Sequence, residues 1–135
     1  MKVALEKLSQ SLKGSVQSDP LSKALYATDA SVYRKMPLGV AFPKDLEDLQ
    51  SIIKFCNENG VGLIPRTAGT SLAGQCVGDG LVVDVSKYFT DIISLDLTKK
   101  QVTVQPGVIR DELNDYLAPH GLFFGPNTST ANRCM

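Results

Sequence analysis

Histidine, cysteine pairs, surplus charge and long apolar runs are all scarce in this chain. There is one histidine, His120, too few for the usual metal-ligand sets. It falls near the end of a predicted helix, just before Gly121, and reads as a helix-end or surface residue. The three cysteines, Cys56, Cys76 and Cys134, are scattered and form no C-x-x-C pair. That pattern predicts reduced thiols and a cytoplasmic address. Fourteen basic side chains balance fourteen acidic ones, so no surplus exists to neutralise a nucleic-acid backbone. No apolar run is long enough to cross a bilayer. The opening residues Met1 to Glu6 mix charge with apolar side chains too closely for a secretory signal. What remains is a 135-residue chain, 43% hydrophobic and 21% charged, the composition of a soluble globular domain with a core of its own.

Periodicity then places the elements. Val3, Leu5, Leu8 and Leu12 predict a first helix over 2–12. Asp19-Pro20 is a helix start, with Asp19 as cap, and predicts a short helix over 21–27. Residues 28–36 read as irregular. Val40-Ala41-Phe42 predicts a brief strand. Leu46, Leu49, Ile52, Ile53 and Cys56 share one face of a helix over 46–59, capped by Asp45 and left through Asn59-Gly60. A strand over 61–65 comes next, so 40–65 reads as strand–helix–strand with two parallel strands. Leu81 to Val85 is a buried-type strand. Ile92 to Leu97 and Gln101 to Gln105 predict a half-buried hairpin. Ile109, Leu113, Tyr116 and Leu117 predict a last helix over 109–118. The expected fold is α+β, a small βαβ parallel layer followed by an antiparallel layer with flanking helices. A helical lead-in over 1–36 and a main domain over 37–135 are the expected divisions.

The most informative stretch is Pro65-Arg66-Thr67-Ala68-Gly69-Thr70-Ser71-Leu72-Ala73-Gly74-Gln75. It leaves the carboxyl end of a predicted strand, where ligands of open α/β sheets gather. Small side chains let a ligand approach the backbone, and consecutive N–H groups cradle anions. Only Arg66 brings full charge, while Thr67, Thr70 and Ser71 add hydroxyls. No Gly-Lys-Ser/Thr comes after it and no G-x-G-x-x-G is present, which excludes the two common phosphate loops. Two further small-residue segments end regular elements. One is Gln105-Pro106-Gly107-Val108, where the next helix offers free N–H groups. The other is Gly125-Pro126-Asn127-Thr128-Ser129-Thr130-Ala131-Asn132. Each alone is an ordinary connection. Together they offer many neutral donors and little charge, which suits a dinucleotide with one diphosphate.

The runs PRTAGTSLAGQ, VQPGV and GPNTSTANRCM resemble, in family order, the FAD-binding domain of the vanillyl-alcohol oxidase / p-cresol methylhydroxylase superfamily. They are most similar to the branch of FAD-linked D-lactate and glycolate dehydrogenases. The likeness runs from about Tyr26 to the last residue. It implies a PCMH-type FAD-binding fold in which Arg66 to Leu72 wrap the FAD diphosphate, flanked by Pro65 and Gln75. It puts Pro106 and Gly107 near the flavin, and Pro126, Asn127, Thr128 and Ser129 along the flavin or ribityl chain, with Asn132 close by. Covalently flavinylated relatives carry a histidine near the position of Thr70, so the expected FAD is non-covalent. Thr67 stands where glycine is common. The family's third motif continues past Met135 and its cap domain is absent, which predicts a truncated, catalytically incomplete piece.

The function implied is oxidation of a 2-hydroxy acid by hydride transfer to flavin, with a small-molecule substrate and an unassigned electron acceptor. An iron–sulfur cluster would belong to sequence beyond this chain. Self-association of the piece through exposed apolar edges is a further expectation. Two alternatives stay open: a non-catalytic FAD-binding module, and a flavin oxidase or reductase of another substrate class. No residue stands out as a catalytic base. Asp29, Asp84 and Asp96 qualify by type alone and read as solvated or capping carboxylates.

Overall fold

The computed structural model describes residues 2–133, excepting the side chains of Lys2 and Val3. In chain order the elements are α1 (Lys2–Ser11), β1 (Ser15–Gln17), α2 (Pro20–Leu25), β2 (Gly39–Phe42), α3 (Leu46–Glu58), β3 (Leu63–Arg66), β4 (Leu81–Asp84), β5 (Ile92–Asp96), β6 (Gln101–Val104) and α4 (Arg110–Leu117). A single 3-10 turn, Ala118–His120, extends α4. The α+β arrangement expected from the sequence is present.

Two features differ from the sequence expectation. The strand order of the main sheet is β1-β2-β4-β3. Strands β2 and β3 are parallel, as expected, but β4 lies between them and pairs with both, Val40 and Ile64 each opposite Val82. Thus β4 belongs to the parallel layer rather than to the antiparallel one. The chemistry agrees with this position. All four residues of β4 are buried, as a strand covered on both faces requires. Strand β3 alternates exposed and half-buried, and its Pro65 lacks the N–H that a second neighbour would need. The second difference is β1, a three-residue edge strand antiparallel to β2. It is too short to carry a periodic signal.

The core of this layer joins Leu5 and Leu8 of α1, Ala41 of β2, Ile52 and Cys56 of α3, and Leu81 and Val83 of β4. On α3 the apolar face is narrower than expected, with Leu46 and Ile53 exposed while Phe55 packs against the cluster. Asp45 caps α3 by accepting the Asp48 N–H at 3.0 Å. Asp48, 3% exposed, accepts the N–H groups of Lys13, Gly14 and Lys44, each at 2.8 Å, and so ties the α1–β1 link to the start of α3. The lead-in over 1–36 therefore shares a sheet with β2 and a core with α3 and β4.

The antiparallel pair β5–β6 forms a separate two-stranded sheet. Its Ile92, Leu95, Val102 and Val104 pack on Val108, Leu113 and Leu117. Tyr116, expected on that apolar face, is half-exposed.

Candidate cofactor site

At the carboxyl end of β3 the chain enters the small-residue loop. Arg66 is the last residue of the strand, and its carbonyl accepts the Val85 N–H at 3.1 Å. Its guanidinium turns back over the Tyr26 ring, 4.9 Å from the centroid, and donates from Nη1 to the Thr28 carbonyl at 2.7 Å. Gly69 lies against the guanidinium. Its φ is +66°, and a Cβ there would sit 2.7 Å from the Arg66 Cζ. The conformation favours glycine, and a Cβ there would displace the guanidinium. The Gly69 carbonyl accepts the Ala30 N–H at 3.1 Å, so the loop is tied to 28–30 at two points.

Ser71 folds inward. Its hydroxyl is bonded to the Gln75 side chain and accepts the N–H groups of Ala73 and Gln75, at 3.2 and 3.3 Å. The expectation that the Ser71 hydroxyl is a free donor is therefore corrected: it shapes the turn. The backbone N–H groups of Ala68, Gly69, Ser71 and Leu72 have no partner among the described residues.

A cleft of about 380 Å³ opens over this loop. Arg66, Ala68, Gly69, Thr70 and Leu72 form one wall, and Ser129, Thr130 and Arg133 of the last segment another. Leu25, Thr28, Asp29 and Ala30 complete it. Two of the three predicted segments thus meet at one cavity. The fourth stretch, 25–30, was not anticipated; Thr28-Asp29-Ala30-Ser31 has the same small, polar, aperiodic character as the other loops and gave that signal.

The remaining predicted residues lie outside the cleft lining. Pro65 is exposed on β3, Thr67 is half-buried, and Gln75 is exposed. Pro106 is exposed, whereas Gly107 is buried against backbone, where a Cβ would lie 2.6 Å from the Phe89 carbonyl oxygen and 2.9 Å from that of Val85. The Gly107 N–H is bonded to Phe89 O at 2.7 Å. The close approach at Gly107 therefore has an internal partner. The first turn of α4 is not wholly open either, since the Asp111 N–H donates to the Ala131 carbonyl at 3.2 Å. That bond docks the last segment onto the helix. Pro126, Asn127 and Asn132 are exposed, and Thr128 is half-buried with its Oγ1 unpartnered among the described residues.

Charge in the cleft is sparse. Arg66 and Arg133 are positive and Asp29 negative. Burial works to raise the Asp29 carboxyl, but hydrogen bonds from Ser31 and the Arg66 charge outweigh it and hold it below the usual aspartate range. Asp84 was expected to be solvated or capping; it is not solvated, but it caps the turn that follows β4. It is 6% exposed, accepts the Tyr26 hydroxyl at 2.6 Å, and is bonded to Ser86 N and Oγ at 2.8 and 2.6 Å. Burial and that carboxylate push the Tyr26 phenol well above its ordinary range. Asp96 accepts the Lys99 N–H at 2.9 Å. Cys56 and Cys76 are free thiols, both raised by burial, and Cys76 is only half-buried. Cys134 lies outside the described residues. His120 is exposed, its ring 6.3 Å from Tyr116.

Neutral amides and one guanidinium lining the same cleft suit a diphosphate, which needs several donors and little net charge to be held reversibly. The chain belongs to the FAD-binding domain family: the family model described as "FAD binding domain" matches residues 37–135. It is 38% identical over 127 residues to D-2-hydroxyglutarate dehydrogenase of Haemophilus influenzae, a match covering 92% of this chain and 12% of that protein. It is 34% identical over 111 residues to mitochondrial D-lactate dehydrogenase (cytochrome) 1 of Saccharomyces cerevisiae, covering 79% of this chain and 19% of that one. The solved structure of p-cresol methylhydroxylase with substrate bound superposes with a TM-score of 0.75 at 20% identity, over 90% of this chain and 25% of that chain. The fold is therefore that of the PCMH-type domains, and FAD is the cofactor. The chain spans 12% and 19% of the length of these two relatives. No helix among the described residues is long and apolar enough to cross a membrane.

Proposed function

We propose that this chain grips the diphosphate of a non-covalent FAD within an enzyme that oxidises a 2-hydroxy acid. The observation that carries this reading is that Ala68, Gly69 and Leu72, whose N–H groups have no partner among the described residues, line one cleft together with Arg66. The relatives act, by name, on D-2-hydroxyglutarate and D-lactate, both of which carry a hydroxyl beside a carboxylate. When bound, FAD supplies the acceptor for the hydride that leaves C2 of such a substrate.

This chain's own residues bind and orient. The loop amides and Arg66 hold the diphosphate, and Ser129 and Arg133 close the opposite wall. Pro106 flanks the flavin, while Pro126, Asn127 and Thr128 run beside the flavin or ribityl chain, with Asn132 near it. The carboxylates Asp84 and Asp96 are bonded elsewhere, so neither takes the substrate hydroxyl proton. That proton goes to a base outside this chain, and the product is the 2-oxo acid.

The test uses the protein expressed from its full reading frame. It should purify yellow, with flavin released by heat or acid. Anaerobic addition of D-2-hydroxyglutarate, D-lactate or glycolate should bleach the flavin absorbance. Bound flavin bleached by none of the three removes the hydroxy-acid assignment. A colourless protein that ignores added FAD removes the cofactor reading as well.

A further inference from the structure

We propose that Tyr26 is a positioning residue of the FAD site: its ring seats the Arg66 guanidinium, and through Arg66 it fixes the amide loop that meets the diphosphate. This rests on the cofactor reading and adds a residue from outside the stretch that the family model matches.

Tyr26 is anchored by three elements. Its backbone closes α2, with its N–H on the Ser22 carbonyl. Its hydroxyl donates to Asp84 at the end of β4, and Asp84 is in turn fixed by Ser86. Its ring meets Phe42, at the end of β2, edge-on with centroids 5.9 Å apart. A ring held this way is a rigid seat. The guanidinium rests on it, takes the Thr28 carbonyl with one nitrogen, and has Gly69 against it. The position of Arg66 thus sets how closely Gly69 approaches. The Gly69 carbonyl is held by the Ala30 N–H. Because that peptide is planar and trans, holding the carbonyl fixes the plane that joins Gly69 to Thr70. The Ser71–Gln75 turn orders the far half of the loop.

An unseated arginine side chain samples many rotamers, and ordering it on binding costs free energy that the ring removes in advance. A cation over a tyrosine face is also directly attracted. In the full-reading-frame protein, with FAD affinity read by quenching of flavin fluorescence, Tyr26→Leu should weaken binding about tenfold. Tyr26→Phe, which keeps the ring and loses only the Asp84 bond, should restore binding to within about threefold of the unaltered protein. Arg66→Met should weaken binding at least as much as Tyr26→Leu, and adding Tyr26→Leu to it should cost nothing further. Gly69→Ala drives a Cβ into the guanidinium and should reproduce the loss with the Tyr26 ring intact, which keeps the test decisive if Tyr26→Leu fails to fold.

The double variant separates positioning from mere packing. If Tyr26→Leu loses the same factor with or without Arg66, or loses nothing, the proposal is overturned while the cofactor reading stands. A normal affinity in Gly69→Ala overturns it too. If the unaltered protein binds no FAD, both fall together.

Discussion

Asp48 binds three backbone N–H groups from two separate segments with a carboxylate that is almost fully buried. Replacing it by alanine takes the partner from three part-buried donors, and an orphaned donor costs about 1–3 kcal/mol where water does not reach it. Asp48→Ala should therefore lower unfolding stability by about 2 kcal/mol, seen as a lower urea midpoint; an unchanged midpoint would show that water replaces the carboxylate freely. The exposed Lys13 pairs with Asp45 and Glu47 add little beside this. Asp29 gives a pH prediction. Its carboxyl is held below the usual range, so it favours the folded state above the ordinary aspartate pKa, and that contribution is lost as pH falls through the lowered value. The stability of Asp29→Asn should then decline less than that of the unaltered chain on acidification below about pH 4. Equal acid dependence in urea melts run across that window would contradict the assignment. Asp45 was legible as a cap because its partner is three residues away. The bonds of Asp48 to Lys13 and Gly14 span some 35 residues and leave no mark in local spacing.

Local rules located nearly every element because each carries its own period or cap. The helix α3 was readable from its spacing, and β5 and β6 from their alternation. What those rules did not supply was which strands become neighbours. A strand–helix–strand unit leaves open whether a later strand inserts, and β4 does so because its apolar residues Leu81, Val82 and Val83 are best buried in the centre while Pro65 keeps β3 at an edge. The junction between β6 and α4 offers a test at this level. Gly107 packs on the backbone of the 85–89 turn, and neither carbonyl it faces is a flexible side chain. Gly107→Ala should force that turn away from the β6–α4 junction and cost about 1–3 kcal/mol, read as a lower thermal midpoint. A midpoint equal to that of the unaltered protein would mean that the junction has slack, and that Gly107 does not set the position of α4.

Across the molecule, the cleft is built from segments about forty and sixty residues apart: 25–30, 66–72 and 129–133. The sequence showed the second and third as small-residue loops after regular elements, and the resemblance put them in family order. It did not show that 25–30 completes the wall, since a loop's wall is decided by tertiary ties such as Arg66 to Thr28 and Ala30 to Gly69. Nor did it show that the Ser71 hydroxyl turns inward, which leaves backbone amides as the loop's main donors. Whether these amides hold the FAD diphosphate can be read by hydrogen–deuterium exchange of the full-reading-frame protein, with and without FAD. Amide exchange in peptides covering 68–72 should slow on FAD binding, while peptides covering the β5–β6 turn at 97–100 stay unchanged. Flavin that binds while 68–72 exchange at the same rate would refute the diphosphate grip.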